Sequence, residues 1–151
     1  MRTYLVVIDD SPEANLAIRF AARRAARTGG GVAVLAIIPP QDFVAFGGVQ
    51  ATIEAEAREH AEQLVSAAAD AVQQEANITA QTIIKSGKPA EVVREAIGEN
   101  DEVAALVLAT AATGAPGPLV AHFTGQDAGT LPCPVMLVPG GIDIARLDAL
   151  S

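Results

Sequence analysis

Two segments of the sequence carry side chains and glycines that could contact a ligand. The first is Asp9, Asp10 and Ser11, two carboxylates and a hydroxyl that come directly after a buried apolar strand. The second is residues 110–118, which are rich in glycine, proline and small side chains. Carboxylates and hydroxyls offer polar contacts, and a glycine-rich turn lets backbone N–H groups approach a phosphate. The two segments together indicate a candidate binding site.

Each of these residues also has a purely structural interpretation. Thr110 and Thr113 could donate their hydroxyls to a phosphate, but such side chains also satisfy backbone groups within a loop. Gly114 and Gly117 could bring the backbone close to a ligand, or they could supply the positive φ that a tight turn needs. Ser11 is suited to cap the helix that follows it. Binding and loop geometry therefore remain alternatives for the whole group.

The sequence offers little support for hydrolytic or metal chemistry. A Ser-His-Asp group could be composed only of Ser11, His122 and Asp9, whose spacing matches no nucleophile motif. His60 and His122 lack the spacing of metal ligands, and one cysteine, Cys133, cannot build a thiolate site. We therefore expect no catalytic residue and no metal site.

The composition limits the partners of this chain. Its 151 residues fit one domain, and 50% of them are hydrophobic, which is enough to fill a core. The formal net charge of −8 opposes nucleic acid, anionic membranes and also ATP. Aromatic residues make up only 3%, so a base-stacking surface is not expected. The single cysteine, with no apolar run typical of a signal peptide or membrane span, predicts a cytoplasmic protein.

Strand and helix patterns alternate along the chain. Apolar, β-branched runs predict five strands, at 4–8, 32–38, 78–85, 103–108 and 135–138. A loop at 41–49 and helices between the strands are expected, the helices at about 12–28, 51–75, 89–99 and 119–130, with a helical turn or two within 143–151. Asp10 or Ser11 is expected to cap the first helix, and His60 to lie on the apolar stripe of the second. The alternation predicts a three-layer α/β sandwich around a five-stranded parallel sheet, with any ligand beyond the carboxyl ends of the strands.

Three motifs resemble those of the universal stress protein family. The segment Val6–Glu13 is similar to the first strand and helix start of that family, and Gly87–Glu91 is similar to its Gly-x-Pro-x-Glu turn. Cys133–Val135 matches its Cys-Pro-Val before the last strand. Their order and spacing extend the resemblance over residues 1–139 and leave 140–151 as a short tail. The resemblance implies a Rossmann-like fold of the adenine nucleotide alpha hydrolase type.

The sequence departs from this family at its nucleotide-binding motif. Nucleotide-binding members carry Gly-x2-Gly-x9-Gly-Ser/Thr after the fourth strand, where this chain has Ala109 and Ala112. The final pair falls at His122–Phe123 when counted forward from Ala112, or near Ala121–His122 when counted back from Pro134, and neither has a glycine. Gly114 and Gly117 keep the first spacing, but only seven residues separate Gly117 from Gly125, and Gln126 follows. We interpret the loop as rebuilt, so that it binds a different anion or none.

The resemblance implies a regulatory or binding module of the stress response that is not a strong ATP binder, rather than an enzyme. The alternative is an ATP- or AMP-binding member that uses the rebuilt loop 109–117. Candidate contacts in that case are Asp9, Ser11, Ile38, Ala109, Thr110, Ala112, Thr113, Gly114 and Gly117. Partners implied are other proteins and a second copy of the chain, joined through the last strand, Val135, Met136, Leu137 and Val138.

Two other functions could use residues of the same kind. Asp9 and Asp10 resemble the acid pair with which phosphoacceptor receiver domains bind magnesium. Those domains also need an aspartate after strand three and a lysine after strand five, where this chain has Lys85–Ser86 and Pro139–Gly140. A receiver function is therefore disfavoured. A dinucleotide enzyme is disfavoured because no glycine fingerprint follows the first strand.

Overall fold

The computed structural model describes residues 1–40 and 47–151. Its five strands are β1 Thr3–Ile8, β2 Gly31–Ile38, β3 Gln81–Ser86, β4 Val103–Ala109 and β5 Val135–Val138. Its α-helices are α1 Ala14–Thr28, α2 Gly47–Ala76, α3 Pro89–Gly98, α4 Pro118–Thr124 and α5 Ile144–Leu150, and a short 3₁₀ turn spans Ala128–Thr130. Of the predicted loop at 41–49, residues 41–46 lie outside the described residues, and 47–49 already belong to α2.

The strands form one parallel sheet in the order β3-β2-β1-β4-β5. The chain builds outward from β1 to β3 on one side and then crosses over to β4 on the other. The order therefore reverses between β1 and β4, which leaves a crevice at the carboxyl ends of these two central strands. The predicted five-stranded parallel sheet and three-layer α/β class are confirmed.

Two cores lie on opposite faces of the sheet. On one face, Ala17, Ala21 and Ala25 of α1 recur at helical spacing and are buried against Val6 and Val34. Small alanines let α1 approach the sheet closely, and the apolar side of α2 completes this layer. On the other face α3 and α4 cover a second cluster of buried residues, Leu5, Ala33, Leu35, Val92, Val93, Ala96, Ile97, Leu106, Leu108, Val120 and Phe123.

The fourth helix is shorter than the predicted range 119–130, so the prediction of its end is wrong. It ends at Thr124, and residues 128–130 form only a 3₁₀ turn. Gly125, whose backbone is not helical, ends it, and a Cβ there would lie 3.0 Å from the carbonyl oxygen of Ala121. The third strand also starts later than predicted, because its pairing with β2 begins only where Gln81 meets Ala33.

The position of His60 on the long helix was also predicted wrongly. Among the described side chains of α2, the buried ones are Ala61, Val65, Ala68 and Val72. The last two lie on the predicted stripe, but at the level of His60 the buried position is the next residue, Ala61. The side chain of His60 is exposed, and its Nε2 lies 2.8 Å from Oδ2 of Asp10. The alanine-rich sequence makes neighbouring helical stripes similar in hydrophobicity, which explains the shift.

The C-terminal tail forms α5 and packs on the same chain. The Asp143 carboxylate accepts a hydrogen bond from the Arg146 backbone N–H at the start of this helix. Leu147 is fully buried in the first core, and Asp148 contacts Arg19 of α1. In the ranges that the structure describes, no helix is both long enough and apolar enough to span a bilayer.

Candidate functional site

A cavity of about 410 Å³ lies at the carboxyl ends of β1 and β4, where the strand order reverses. This volume is in the range of small-molecule pockets, and the position is the one that parallel α/β sheets use for ligands. Its walls come from β1, the β1–α1 connection, β2, the start of α3, β4 and the start of α4. The lining residues are Val7, Ile8, Asp9, Ser11, Glu13, Ala14, Ile37, Pro39, Pro89, Leu108, Ala109, Pro116, Gly117, Pro118, Leu119 and Val120.

The β1–α1 connection forms the polar wall of the cavity. Asp9 Oδ1 accepts hydrogen bonds from the Ser11 backbone N–H, at 2.8 Å, and from the Ser11 hydroxyl. This local turn fixes the direction in which the chain leaves the sheet. Among the described residues, the second oxygen of Asp9 has no hydrogen-bond partner and remains available to a ligand.

The predicted capping of α1 is wrong. Glu13, in helical conformation, stands at the boundary of α1, and its side chain makes no capping hydrogen bond. The backbone carbonyl of Ser11 accepts from Ala14 N–H, while its hydroxyl is turned toward Asp9. Asp10 is paired with His60 on α2. The residues after β1 form a turn before the helix begins, so the expected caps stand too early in the chain.

The connection from β4 to α4 forms the opposite wall. Its turn is closed by a hydrogen bond from Ala111 N–H to the carbonyl of Pro116, at 3.1 Å. Gly117 has a φ of 117°, which favours glycine, and Pro118 opens α4. Both Pro116 and Pro118 lack a backbone N–H, so this wall presents fewer hydrogen-bond donors than a glycine-rich turn would.

Thr110 lies beside the cavity, and its hydrogen bonds hold the ends of β4 and β5 together. Its backbone N–H donates to the carbonyl of Val138, at 2.9 Å, and its Oγ1 accepts from Gly140 N–H, at 3.2 Å. A Cβ on Gly140 would lie 2.1 Å from the Thr110 carbonyl oxygen. Glycine is therefore required at position 140 for the close approach of the two loops.

The structure brings together four of the nine candidate contacts, Asp9, Ser11, Ala109 and Gly117, in the lining of the cavity. Ala112, Thr113 and Gly114 are exposed on the loop and do not line the cavity. Thr110 is absent from the lining too. Ile38 lines a separate depression of about 240 Å³ with Pro39, Pro40, Gln50, Glu54, Ser86 and Gly87.

The sequence did not single out Glu13 and Leu119 as lining residues, whereas Pro116 and Pro118 lie within the segment 110–118 that it indicated as part of the site. A signal was present for Leu119, since it directly follows that segment at the carboxyl rim. Glu13 was interpreted only as part of a helix start. Glu13 adds a second carboxylate to the wall that contains Asp9. None of the described lining residues is Lys, Arg or His.

The structure does not bring together the residues that hydrolytic or metal chemistry would need. His122 Nε2 lies 2.8 Å from Asp127 Oδ2, so its partner is not Asp9. Within residues 1–40 and 47–151 there is no cluster of three metal-ligating side chains. Cys133 is half-buried, and burial raises the pKa of its thiol. A half-buried thiol with a raised pKa is poorly suited to act as a nucleophile.

Solved structures resemble this fold over nearly the whole chain. Universal stress protein UspA from Lactobacillus plantarum is 20% identical with a TM-score of 0.75, and the match covers 91% of this chain and 97% of that one. The protein from Archaeoglobus fulgidus in complex with dAMP is 18% identical, with a TM-score of 0.63 and coverage of 91% and 97%. A family protein from Arabidopsis thaliana with AMP bound is 12% identical, with a TM-score of 0.61 and coverage of 97% and 95%.

At these identities the solved structures establish the fold alone. No curated protein matches the sequence significantly. The family assignment rests on the sequence model of the universal stress protein family, which matches residues 1–139 and so includes every strand of the sheet and both walls of the cavity. The chain therefore belongs to the universal stress protein family.

Proposed function

We propose that this chain is a regulatory, ligand-binding module of the stress response that binds ATP weakly or not at all. The observation that carries the proposal is the turn at the start of α4. Pro116 and Pro118 offer no backbone N–H to a phosphate, so the donors left on this wall are Gly117 and the first N–H groups of α4, those of Leu119 and Val120. A triphosphate placed against this wall would find fewer donors than a turn with glycines in place of the two prolines would present.

The charge of the opposite wall supports the same conclusion. Asp9 and Glu13 both line the cavity, and no basic side chain stands among its described lining residues. Two like unit charges 4 Å apart repel each other by about 1 kcal/mol even in water, and by more near a protein surface. A triphosphate in the cavity would therefore find no cationic side chain among the described lining residues to neutralise it.

A second candidate is the binding of AMP or ATP through residues 109–117. It is favoured by the position of the cavity at the switch point of the sheet, and by two structural neighbours that were solved with dAMP and AMP. A monophosphate carries less negative charge than ATP, so the acidic wall would oppose it less. In this version Asp9, Ala109 and Gly117 contact the nucleotide.

Calorimetric titration with ATP and magnesium, and separately with AMP, distinguishes the two candidates. We expect no saturable heat with millimolar ATP. Saturable binding at micromolar ATP would overturn the proposal. If AMP binds, Leu119→Trp, which fills the cavity, should abolish the heat, while Ala121→Trp on the exposed side of the same helix should not.

We also propose that two copies pair through β5. This strand is at the edge of the sheet, and Leu137 on it is 41% exposed although it is a large apolar residue. An uncovered edge strand can continue a sheet into a second copy of the chain. A cytoplasmic location is proposed as well, since the one thiol, Cys133, is free.

A further inference from the structure

We propose that the amino-terminal half of α2, residues 47–60, is held to the β1–α1 connection by a proton-dependent ion pair between His60 and Asp10, which docks it in mild acid and loosens it as the pH rises. Asp10 lies in the same connection as Asp9 and Ser11, so the pair couples the pH to the rigidity of one wall of the cavity. The inference holds whether or not a ligand binds in the cavity, and it adds a mode of regulation to the proposed module.

The amino-terminal half of α2 makes few buried contacts. Among its described side chains, those of residues 50–60, none is buried, and Ile53 and Ala57 are only half-buried. The buried positions of the described part of α2 begin at Ala61. Segments with few buried contacts open locally at a small cost in free energy. One ion pair therefore changes the opening of residues 47–60 more visibly than it changes the stability of the whole fold.

The pair joins two elements and is open to solvent. The imidazole Nε2 of His60 lies 2.8 Å from Oδ2 of Asp10, which is 50 residues away in the sequence. The two side chains are 52% and 73% exposed, so protons reach them freely. An accessible histidine gains its positive charge as the pH falls from about 8 to about 5. With that charge the contact is an ion pair, and without it the contact is a weaker hydrogen bond to a carboxylate.

The surrounding charges make the proton decisive for this contact. Residues 9–13 contain three carboxylates and no basic side chain, and residues 54–59 contain three glutamates and one arginine. Besides Asp10, the charged side chains of these two segments are Asp9, Glu13, Glu54, Glu56, Arg58 and Glu59. The first basic residue of α1, Arg19, is already engaged in ion pairs of its own. When His60 is neutral, two acidic segments therefore meet at this contact, and an imidazolium between them relieves the repulsion.

The second histidine provides an internal contrast. His122 Nε2 lies 2.8 Å from Oδ2 of Asp127, as close as in the first pair. The turn after α4 is also held by Arg94, which donates to the carbonyls of Asp127 and Thr130 at 3.0 and 3.4 Å. An arginine keeps its charge throughout this pH range. Residues 125–130 should therefore keep their contacts when His122 loses its proton.

Hydrogen–deuterium exchange at pH 5.5 and at pH 8, with each rate corrected for the pH dependence of chemical exchange, tests the inference. Residues 51–60 should lose protection by about twofold to fivefold at the higher pH, which is the range expected for an exposed ion pair. Residues 65–76 of the same helix and the turn 125–130 should change less. Unchanged protection of residues 51–60, or a gain at pH 8, would overturn the inference. An equal loss at residues 65–76 would reveal a change of the whole fold and would overturn it as well.

Variants of the pair locate the effect. His60→Gln keeps a hydrogen-bond donor for Asp10 but cannot take up a proton, so its residues 51–60 should be equally protected at both pH values. Asp10→Asn keeps an oxygen acceptor without the charge and should remove the pH dependence in the same way. His122→Gln is the matched control, because it removes the other histidine and should leave the pH dependence of residues 51–60 as in wild type. A pH dependence that survives in His60→Gln or in Asp10→Asn, or that is lost in His122→Gln, would contradict the assignment to this pair.

Discussion

Gly140 is a residue whose role depends on a contact far away in the sequence. A methyl group there would lie 2.1 Å from the carbonyl oxygen of Thr110 and 2.8 Å from the backbone nitrogen of Ala112. Such contacts cannot be relieved by a side-chain rotation, because both atoms belong to the backbone. The β4–α4 loop and the segment after β5 would have to separate.

We therefore expect Gly140→Ala to lower the free energy of unfolding by about 2 kcal/mol, as is typical of overpacked sites. Urea unfolding followed by circular dichroism measures it. Gly141→Ala is the matched control, because a Cβ at Gly141 meets no atom within 4 Å. Equal midpoints for the two variants would contradict the close approach seen at Gly140.

Cys133 provides a second test at the residue scale. Burial raises the pKa of its thiol, and the thiolate is the form that reacts with alkylating reagents. Iodoacetamide should therefore modify the folded protein several-fold more slowly than the same protein in urea, as followed by mass spectrometry. A folded protein that reacts as fast as the unfolded one would be inconsistent with the burial of this thiol.

The candidate site shows how far residue types alone can lead. Asp9 and Ser11 were assigned to the rim of the sheet because they follow a clearly apolar strand, and they do line the cavity. The role of Thr110 was not accessible from the sequence, because its hydroxyl is engaged by Gly140, thirty residues later. Local composition identifies a loop, but long-range contacts decide which of its residues face the ligand.

At the scale of elements, α5 is held against the rest of the chain by the ion pair between Arg19 and Asp148 and by the buried side chain of Leu147. Arg19 donates from Nε and an Nη atom to both carboxylate oxygens of Asp148, each at 2.7 Å, and also reaches Glu75 at 3.0 Å. The hydrogen bond from Arg19 is the main cause that holds the pKa of Asp148 below its ordinary value. Three helices, α1, α2 and α5, therefore meet at one guanidinium.

The lowered pKa gives Asp148 a predictable dependence on pH. A carboxyl group with a lowered folded pKa contributes stability at pH values above its unfolded pKa, and that contribution is lost as the pH falls through the folded pKa. Asp148→Asn should be less stable than wild type at pH 7. The difference should shrink as the pH falls below about 4, the ordinary pKa of an aspartate.

Urea unfolding of both proteins at pH 7 and at pH 3 measures this change. Asp70→Asn, an exposed position on α2, is the control and should differ little from wild type at either pH. A difference for Asp148→Asn that is as large at pH 3 as at pH 7 would mean that its charge does not hold α5.

Elements with a strong pattern were predicted best. The first helix and the proline-bounded last strand were found because alanine spacing and Cys-Pro-Val are local signals. The long helix was found, and Ala68 and Val72 of its predicted apolar stripe are buried, but His60 is not, because alanines occur on every side of the helix and make neighbouring stripes similar. The end of α4 was missed because the close approach that Gly125 makes to Ala121 becomes visible only in three dimensions.

At the scale of the whole molecule, the proposed pairing of two copies makes a clear prediction. Leu137→Lys places a charge on the exposed side of the edge strand and should convert a dimer to a monomer. Leu150→Lys, at a similarly exposed leucine on α5, should leave the dimer intact. Size-exclusion chromatography with light scattering measures the mass of each, and a monomeric wild-type protein would refute the pairing.

The sheet order has a consequence for synthesis on the ribosome. One edge of β1 can pair with β2 early, but its other edge waits for β4, whose first residue, Val103, pairs with Thr3. At typical rates of translation the intervening chain takes about 5–20 s to emerge. During that time the largely apolar strand β1 has an unpaired edge, which leaves the nascent chain open to edge-to-edge association.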